Sequence, residues 1–393
     1  MRRIYLDHIA GTPLLPEALA AMLPFLKEHY GNPQSLHGEG APALEAVEEA
    51  RSRVAALIGA SPGEIIFTAS GSESNNLAVK GMALAGRAKG THIVVSAIEH
   101  PSVLNAAKSL EKLGFRTSLV PVDGTGLVQP EAVEKALAKD TVFVSVMLAN
   151  SEVGTIEPVA EIAQLCRAKG IPFHTDAVAA AGSVPVDVRA LGVDALSLAG
   201  DQFYGPKGSA ALFVKKGIRL LPQIDGGIQE GGRRGGTENV PAIVGMGLAA
   251  ELARTRLPER VASARTLCDR LIDGLLSRVD HIVLTGPREN RLPHQASFCV
   301  RFVEGEALLL SLDMKGIAVS SGSACSSKSL KASHVLLAMG LDHATAQGSV
   351  VFSLLEDTTA RDIDDVLAAF PPIIDRLRSM SPLYTTYLKE NPQ

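Results

Sequence analysis

Between residues 64 and 214 the chain repeats one pattern, and that pattern leaves few folds open. Short β-branched runs ("EIIFTA", "HIVVSA", "RTSLVPV", "TVFVSVML", "IPFHTDA", "ALSLA", "SAALFV") follow one another. Most are separated by Ala-, Leu- and Glu-rich stretches such as 75–88, 102–114 and 157–169. Strands alternating with helices predict an α/β fold with a mostly parallel, seven-stranded sheet covered on both faces. In such sheets ligands bind beyond the carboxyl ends of the strands. The residues after those ends are Ser70-Gly71-Ser72, Glu99-His100, Asn150, Asp176 and Asp201-Gln202. Polar, chemically able side chains therefore recur at five strand ends.

From about residue 241 the character changes. Residues 241–279 read as a long helical stretch with a break near Pro258. "HIVLTG", "QASFCVRF" and "GIAVSSG" then read as strands of a smaller α+β unit, closed by the helix "TARDIDDVLAAFPPIIDRLRSM". Residues 1–13 are expected to pack on this unit. The length of 393 residues fits two or three domains. A net charge of -4 gives no reason to expect nucleic acid. No apolar run approaches the roughly 20 residues of a membrane span. "MRRIYLDHIAGTP" lacks a long apolar core and reads as an early strand, not a signal peptide. The four cysteines, Cys166, Cys268, Cys299 and Cys325, are widely spaced with no CxxC. That spacing indicates neither a disulfide framework nor a Cys-only zinc site, and a reducing, cytoplasmic setting is expected.

Each candidate site residue also has a plainer reading. "TASGSESNN" (68–76) is a strand, a small-residue turn and a helix start, suited to a phosphate, or simply a helix capped by Ser72 with Glu73 in its first turn. His100 at a strand end is, alone, a satisfied structural residue. Asp176 in "FHTDA" suits a protonated pyridine nitrogen or a helix N-cap. "EGGRRGGTEN" (230–239) suits an anion or a solvated loop. Cys325 stands apart in the small, polar segment "SSGSACSSKS", with Lys328 nearby. An exposed thiol beside positive charge is partly thiolate and nucleophilic. The other three cysteines sit in apolar contexts and read as inert core residues.

Taken in order, "YLDHIAGTP", "YGNPQSLHGEG", "IIFTASGSESNN", "SAIEHPSV", "ANSEVGTI", "FHTDAVAAAG", "YGPKG", "GGRRGGTENVPAIVGMG" and "EGEALLLSLDMKGIAVSSGSACSSKSL" resemble the cysteine desulfurases of the class V aminotransferase group. These are pyridoxal phosphate proteins of fold type I. The resemblance covers nearly the whole chain. It implies a homodimer, a large domain near 14–250, a small domain from 1–13 plus 251–393, a mobile cysteine loop and an iron–sulfur scaffold protein as partner. In the family a lysine holds the cofactor as a Schiff base, and the loop cysteine takes sulfur from cysteine, leaving alanine and a persulfide. By resemblance Cys325 is the persulfide cysteine, and His100 stacks on the cofactor ring and moves protons. Asp176 faces the pyridine nitrogen, and Asn150 lies beside the ring. Ser70, Gly71 and Ser72 form the phosphate turn, and Thr237 reaches the phosphate from the other subunit.

The departures gather in the same place. Gln202 stands where the Schiff-base lysine belongs, Asp201 where a histidine helps bind phosphate, and Ala199 where a serine does. Ala179 replaces a glutamine at the phenolic oxygen. Val351 replaces the arginine for the substrate carboxylate, and His8 an asparagine. An amide cannot form an imine, and Lys207 of "YGPKG" already has its own place in the family. A carboxylate about 4 Å from a phosphate costs about 4 kcal/mol at an effective dielectric of about 20. The expectation is therefore a desulfurase-like protein of cluster assembly. It works through Cys325 with pyridoxal phosphate absent or noncovalent, and Cys325 carries sulfur or supplies one ligand to a shared iron–sulfur cluster. Two alternatives stand beside it: an active desulfurase with noncovalent cofactor, and a non-catalytic dimeric partner of an active paralogue.

Overall fold

The computed structural model describes residues 2–322 and 332–391. Cys325 and Lys328 lie outside them. In chain order the strands are β1 (Ile4–Tyr5), β2 (Ile65–Thr68), β3 (His92–Ser96), β4 (Arg116–Val120), β5 (Thr141–Ser145), β6 (Phe173–Asp176), β7 (Ala195–Ala199), β8 (Ala210–Val214), β9 (Ile282–Leu284), β10 (Gln295–Val300), β11 (Ile317–Ala318) and β12 (Ser349–Ser353). Seven of them form the central sheet, in the order β2-β8-β7-β6-β5-β3-β4. Each of the seven β-branched runs holds one of its strands.

The pairs β4–β3, β3–β5, β5–β6 and β6–β7 are parallel, whereas β7–β8 and β8–β2 are antiparallel. The reason is local. Only residues 200–209 join β7 to β8, too few for a crossover, so the chain must turn straight back. Asp201 and Gln202 ride on that turn. β2, β3, β5, β6 and β7 are buried along their whole length, as a sheet covered on both faces requires.

The stretch after residue 239 departs from the sequence expectation. Val240–Leu276 is one helix of 37 residues running straight through Pro258. A proline there lacks the N–H that would bond four residues back, which usually breaks a helix. Packing at both ends holds this one together. Met246, Ala249, Ala250 and Ala253 join the core beneath the large sheet. Cys268, Leu271, Ile272 and Leu275 join a second core with Phe298, Phe352 and Phe370. The position expected to part the two domains falls inside this helix. Ile4 and Leu6 also enter the second core, and β1 pairs with β11. β12 was not foreseen; it pairs antiparallel with β10 in a three-stranded sheet. Among the described residues no helix is long and apolar enough to cross a membrane.

Candidate functional site

The five strand ends meet. Ser70, Gly71 and Ser72 after β2, His100 after β3, Asn150 after β5, Asp176 at the end of β6, Ala199 at the end of β7, and Asp201 and Gln202 after it all line one cavity of about 600 Å³. Ala179 lines it too. The segment from Ser320 to Gly322 and the residues Ser333 to Val335 border the same cavity, on either side of the undescribed stretch that carries Cys325. Among the described residues no lysine or arginine lines it, whereas Asp7, Glu99, Glu152, Asp176 and Asp201 do.

The turn after β2 opens the helix Gly71–Gly86. Its N-cap is Ser70, not Ser72: the Ser70 side chain accepts from the Glu73 amide. The Glu73 carboxylate takes the Ala69 amide and pairs with Arg234. A Cβ on Gly71 would lie 2.7 Å from a Val178 methyl, so only glycine lets the turn approach this closely. The first-turn amides of Gly71 and Ser72 belong to a helix N-terminus, where unpaired N–H groups and the dipole favour an anion.

Asp176 is buried, and burial raises its pKa. The Val178 amide donates to one oxygen and the Asn75 side chain to the other. Asn150 anchors its own loop: its amide nitrogen donates to the Ile98 carbonyl, and its oxygen takes the amides of Glu152 and Val153. Glu99 and Glu152 are pushed up by burial to about 8 and about 7, and each has one buried oxygen with no partner among the described residues.

On the turn after β7, Asp201 has a pKa raised by burial and drawn back by Lys207. Lys207 itself is exposed and does not line the cavity. The Gln202 side chain donates to the Ile9 carbonyl at 3.3 Å, and the Gln202 carbonyl meets His8 Nε2 at 3.0 Å. His8 is buried and lines a neighbouring hollow of about 230 Å³.

Two predicted positions stand apart from the cavity. Val351 is fully buried in β12 and joins the wall only through its backbone bridge to Ser320. Thr237 is exposed on the chain's surface. The glycine-rich stretch before Thr237 is pinned: Arg51 makes a two-pronged pair with Glu230 at 2.8 and 2.9 Å, and Glu230 also takes the Phe67 amide. Cys166, Cys268 and Cys299 are buried, with thiols pushed up to about 12, 11 and 12. Among the described residues no group of three or more His, Cys, Asp or Glu is arranged to hold a metal.

Asn75, Ser102, Glu152 and His334 were not singled out from sequence. Ser102 carried a faint signal, standing two residues after His100 at the start of the helix Pro101–Glu111. The others depend on contacts between distant segments.

A pyridoxal phosphate would find Asp176 for its ring nitrogen and the Gly71–Ser72 turn for its phosphate. It would find no amine at Gln202 and a carboxylate at Asp201. The described residues of the wall fit the ring and one side of the phosphate, and no lysine lines it among them.

Residues 4–366 match the family described as Aminotransferase class-V. The chain is 48% identical over 381 residues to "Cysteine desulfurase IscS" of Dictyoglomus turgidum, covering 97% of each. It is 47% identical over 390 residues to "Cysteine desulfurase IscS" of Clostridium botulinum, covering 99% of this chain and 98% of that one. A solved structure named "NIFS-LIKE PROTEIN" superposes with a TM-score of 0.90 at 37% identity, covering 96% of this chain and 100% of that one. The chain therefore belongs to the cysteine desulfurases of the class V aminotransferase family.

Proposed function

We propose that this cysteine desulfurase relative serves iron–sulfur cluster assembly by carrying sulfur on Cys325, without a covalently held cofactor. The observation that carries the reading is Gln202, an amide lining the cavity at the turn where the family resemblance calls for an amine. Asp201 on the same turn supports it, because a carboxylate opposes a phosphate dianion. In this scheme a Cys325 thiolate attacks the outer sulfur of a donor persulfide. The donor thiolate leaves, and the new persulfide passes its sulfur to a scaffold protein. The exposed Thr237 beside the pinned glycine-rich stretch supports a homodimer, in which it would serve a second copy. The undescribed segment lies between residues that border the cavity, consistent with a thiol that serves this site.

A second reading keeps noncovalent pyridoxal phosphate in an active desulfurase. Asp176, buried and partnered by Asn75, favours it, since that carboxyl stands ready for a protonated ring nitrogen. The deciding experiment incubates the protein with pyridoxal phosphate and L-cysteine, then separately with a low-molecular-weight persulfide. The first reading expects no alanine, and a mass increase of one sulfur at Cys325 that Cys325→Ser abolishes. Alanine release dependent on Cys325 would establish the second. Neither alanine release nor a sulfur mass increase in wild type would leave a non-catalytic partner protein. A brown, Cys325-dependent complex on co-expression with a scaffold would make Cys325 a cluster ligand.

A further inference from the structure

His100 enters the cavity wall with one ring nitrogen already committed. The backbone amide of Ser102 donates to His100 Nδ1 at 3.1 Å, and the Ser102 hydroxyl lies 2.7 Å from the same atom. A backbone N–H can only donate, so Nδ1 must present a lone pair. With Nδ1 an acceptor the hydroxyl must donate to it, and the hydroxyl oxygen in turn accepts from the Asn75 side-chain nitrogen at 2.9 Å. The second hydrogen of that nitrogen goes to Asp176 at 2.6 Å. Asn75 is buried, and its nitrogen faces the Asp176 carboxylate while its oxygen has no partner among the described residues. Every hydrogen in the series thus has an assigned acceptor. A proton on Nδ1 would confront the amide hydrogen and forfeit two hydrogen bonds.

We propose that Asn75 and Ser102 are positioning residues that lock His100 in its Nε2–H form, so that whatever the cavity holds meets an imidazole N–H donor there. Nε2 has no protein partner among the described residues and is the nitrogen left for a ligand. His334, on the same wall, is set the opposite way. Its Nε2 lies 3.0 Å from the Glu99 carbonyl, an acceptor only, so Nε2 carries the hydrogen and Nδ1 keeps the lone pair. The two imidazoles give the cavity a polarity. A carboxylate, phenolate or sulfur anion suits His100, and a protonated amine does not. In this form Nε2 cannot take up a proton, so His100 donates a hydrogen bond and is not a base at that atom. This departs from the proton-moving role that the family resemblance assigns it. The inference stands on geometry and does not depend on what the cavity binds.

The test is long-range proton–nitrogen NMR of the full-length protein labelled at imidazole nitrogen, in mildly alkaline buffer without added ligand. His100→Gln identifies the signal. Wild type is expected to show a proton-bearing Nε2 and a lone-pair Nδ1. In Ser102→Ala the backbone amide still donates to Nδ1, so the Nε2–H tautomer should persist while loss of the hydroxyl's hydrogen bond moves the Nδ1 shift toward that of a less hydrogen-bonded lone-pair nitrogen, and Ser102→Thr, which keeps the hydroxyl, should restore the wild-type pattern. A wild-type spectrum with the proton on Nδ1 would overturn the proposal, as would a Ser102→Ala pattern identical to wild type. If Ser102→Ala does not fold, the wild-type spectrum decides alone.

Discussion

The hydroxyl of Ser333 donates to Glu152 at 2.6 Å, while the other oxygen of that carboxyl is buried with no partner among the described residues. Gly322 lies against the same group, since a Cβ there would overlap the carboxylate. Burial raises Glu152 from 4.5 to about 7. An acid raised in the folded state keeps its proton while the unfolded chain has lost it. Stability therefore falls as pH rises through that interval, by roughly 3 kcal/mol for a shift of this size. Glu152→Gln removes this penalty. We expect the variant to gain in unfolding temperature over wild type between about pH 5 and about pH 8. Buried His8 and His174 act with the opposite sign at lower pH but are common to both proteins, so the difference isolates Glu152. A constant difference across the range would reject the assignment.

Gln202→Lys restores an amine where the cavity has an amide. With added pyridoxal phosphate the variant should acquire a visible absorption band that survives extensive dialysis and becomes fixed by borohydride. Wild type should lose whatever cofactor it binds on dialysis. Absorption spectra before and after dialysis check both halves.

Asp201 should set the preference between phosphorylated and unphosphorylated ligands. Its partial exposure to solvent and the nearby Lys207 reduce its charge effect below the bare Coulomb figure. Asp201→Asn is expected to tighten pyridoxal phosphate at least about tenfold, equivalent to about 1.4 kcal/mol. Pyridoxal without the phosphate should change little. Calorimetric titration of the two ligands measures the ratio, and equal changes for both would remove Asp201 from the phosphate end.

Cysteine labelling should separate one thiol from three. Cys166, Cys268 and Cys299 are buried with strongly raised thiols, so the thiolate is scarce and shielded. In native protein a maleimide is expected to modify Cys325 first, with the other three reacting only after unfolding. Peptide mass mapping at short times gives the answer.

Much of this arrangement could be read from the chain before its structure. The seven strands announce themselves through short β-branched runs, a local signal, and the site follows because parallel sheets gather their carboxyl ends. Asp201 and Gln202 were found that way. Other features were hidden because they rest on separated segments. Glu152 meets Ser333 across 181 positions. Arg291 is almost fully buried among carbonyls of Val153, Thr285, Pro287 and Gln295, with no carboxylate among those hydrogen bonds, which no spacing rule suggests. The helix through Pro258 was misread as broken because local propensity gave no account of the two cores that clamp its ends.

That uninterrupted helix also has a mechanical meaning. Both hydrophobic centres grip the same rod, so neither can swing without bending it. The missing rung at Pro258, close to its midpoint, is where such bending would concentrate. Any relative movement of the two cores would have to pass through one imino acid.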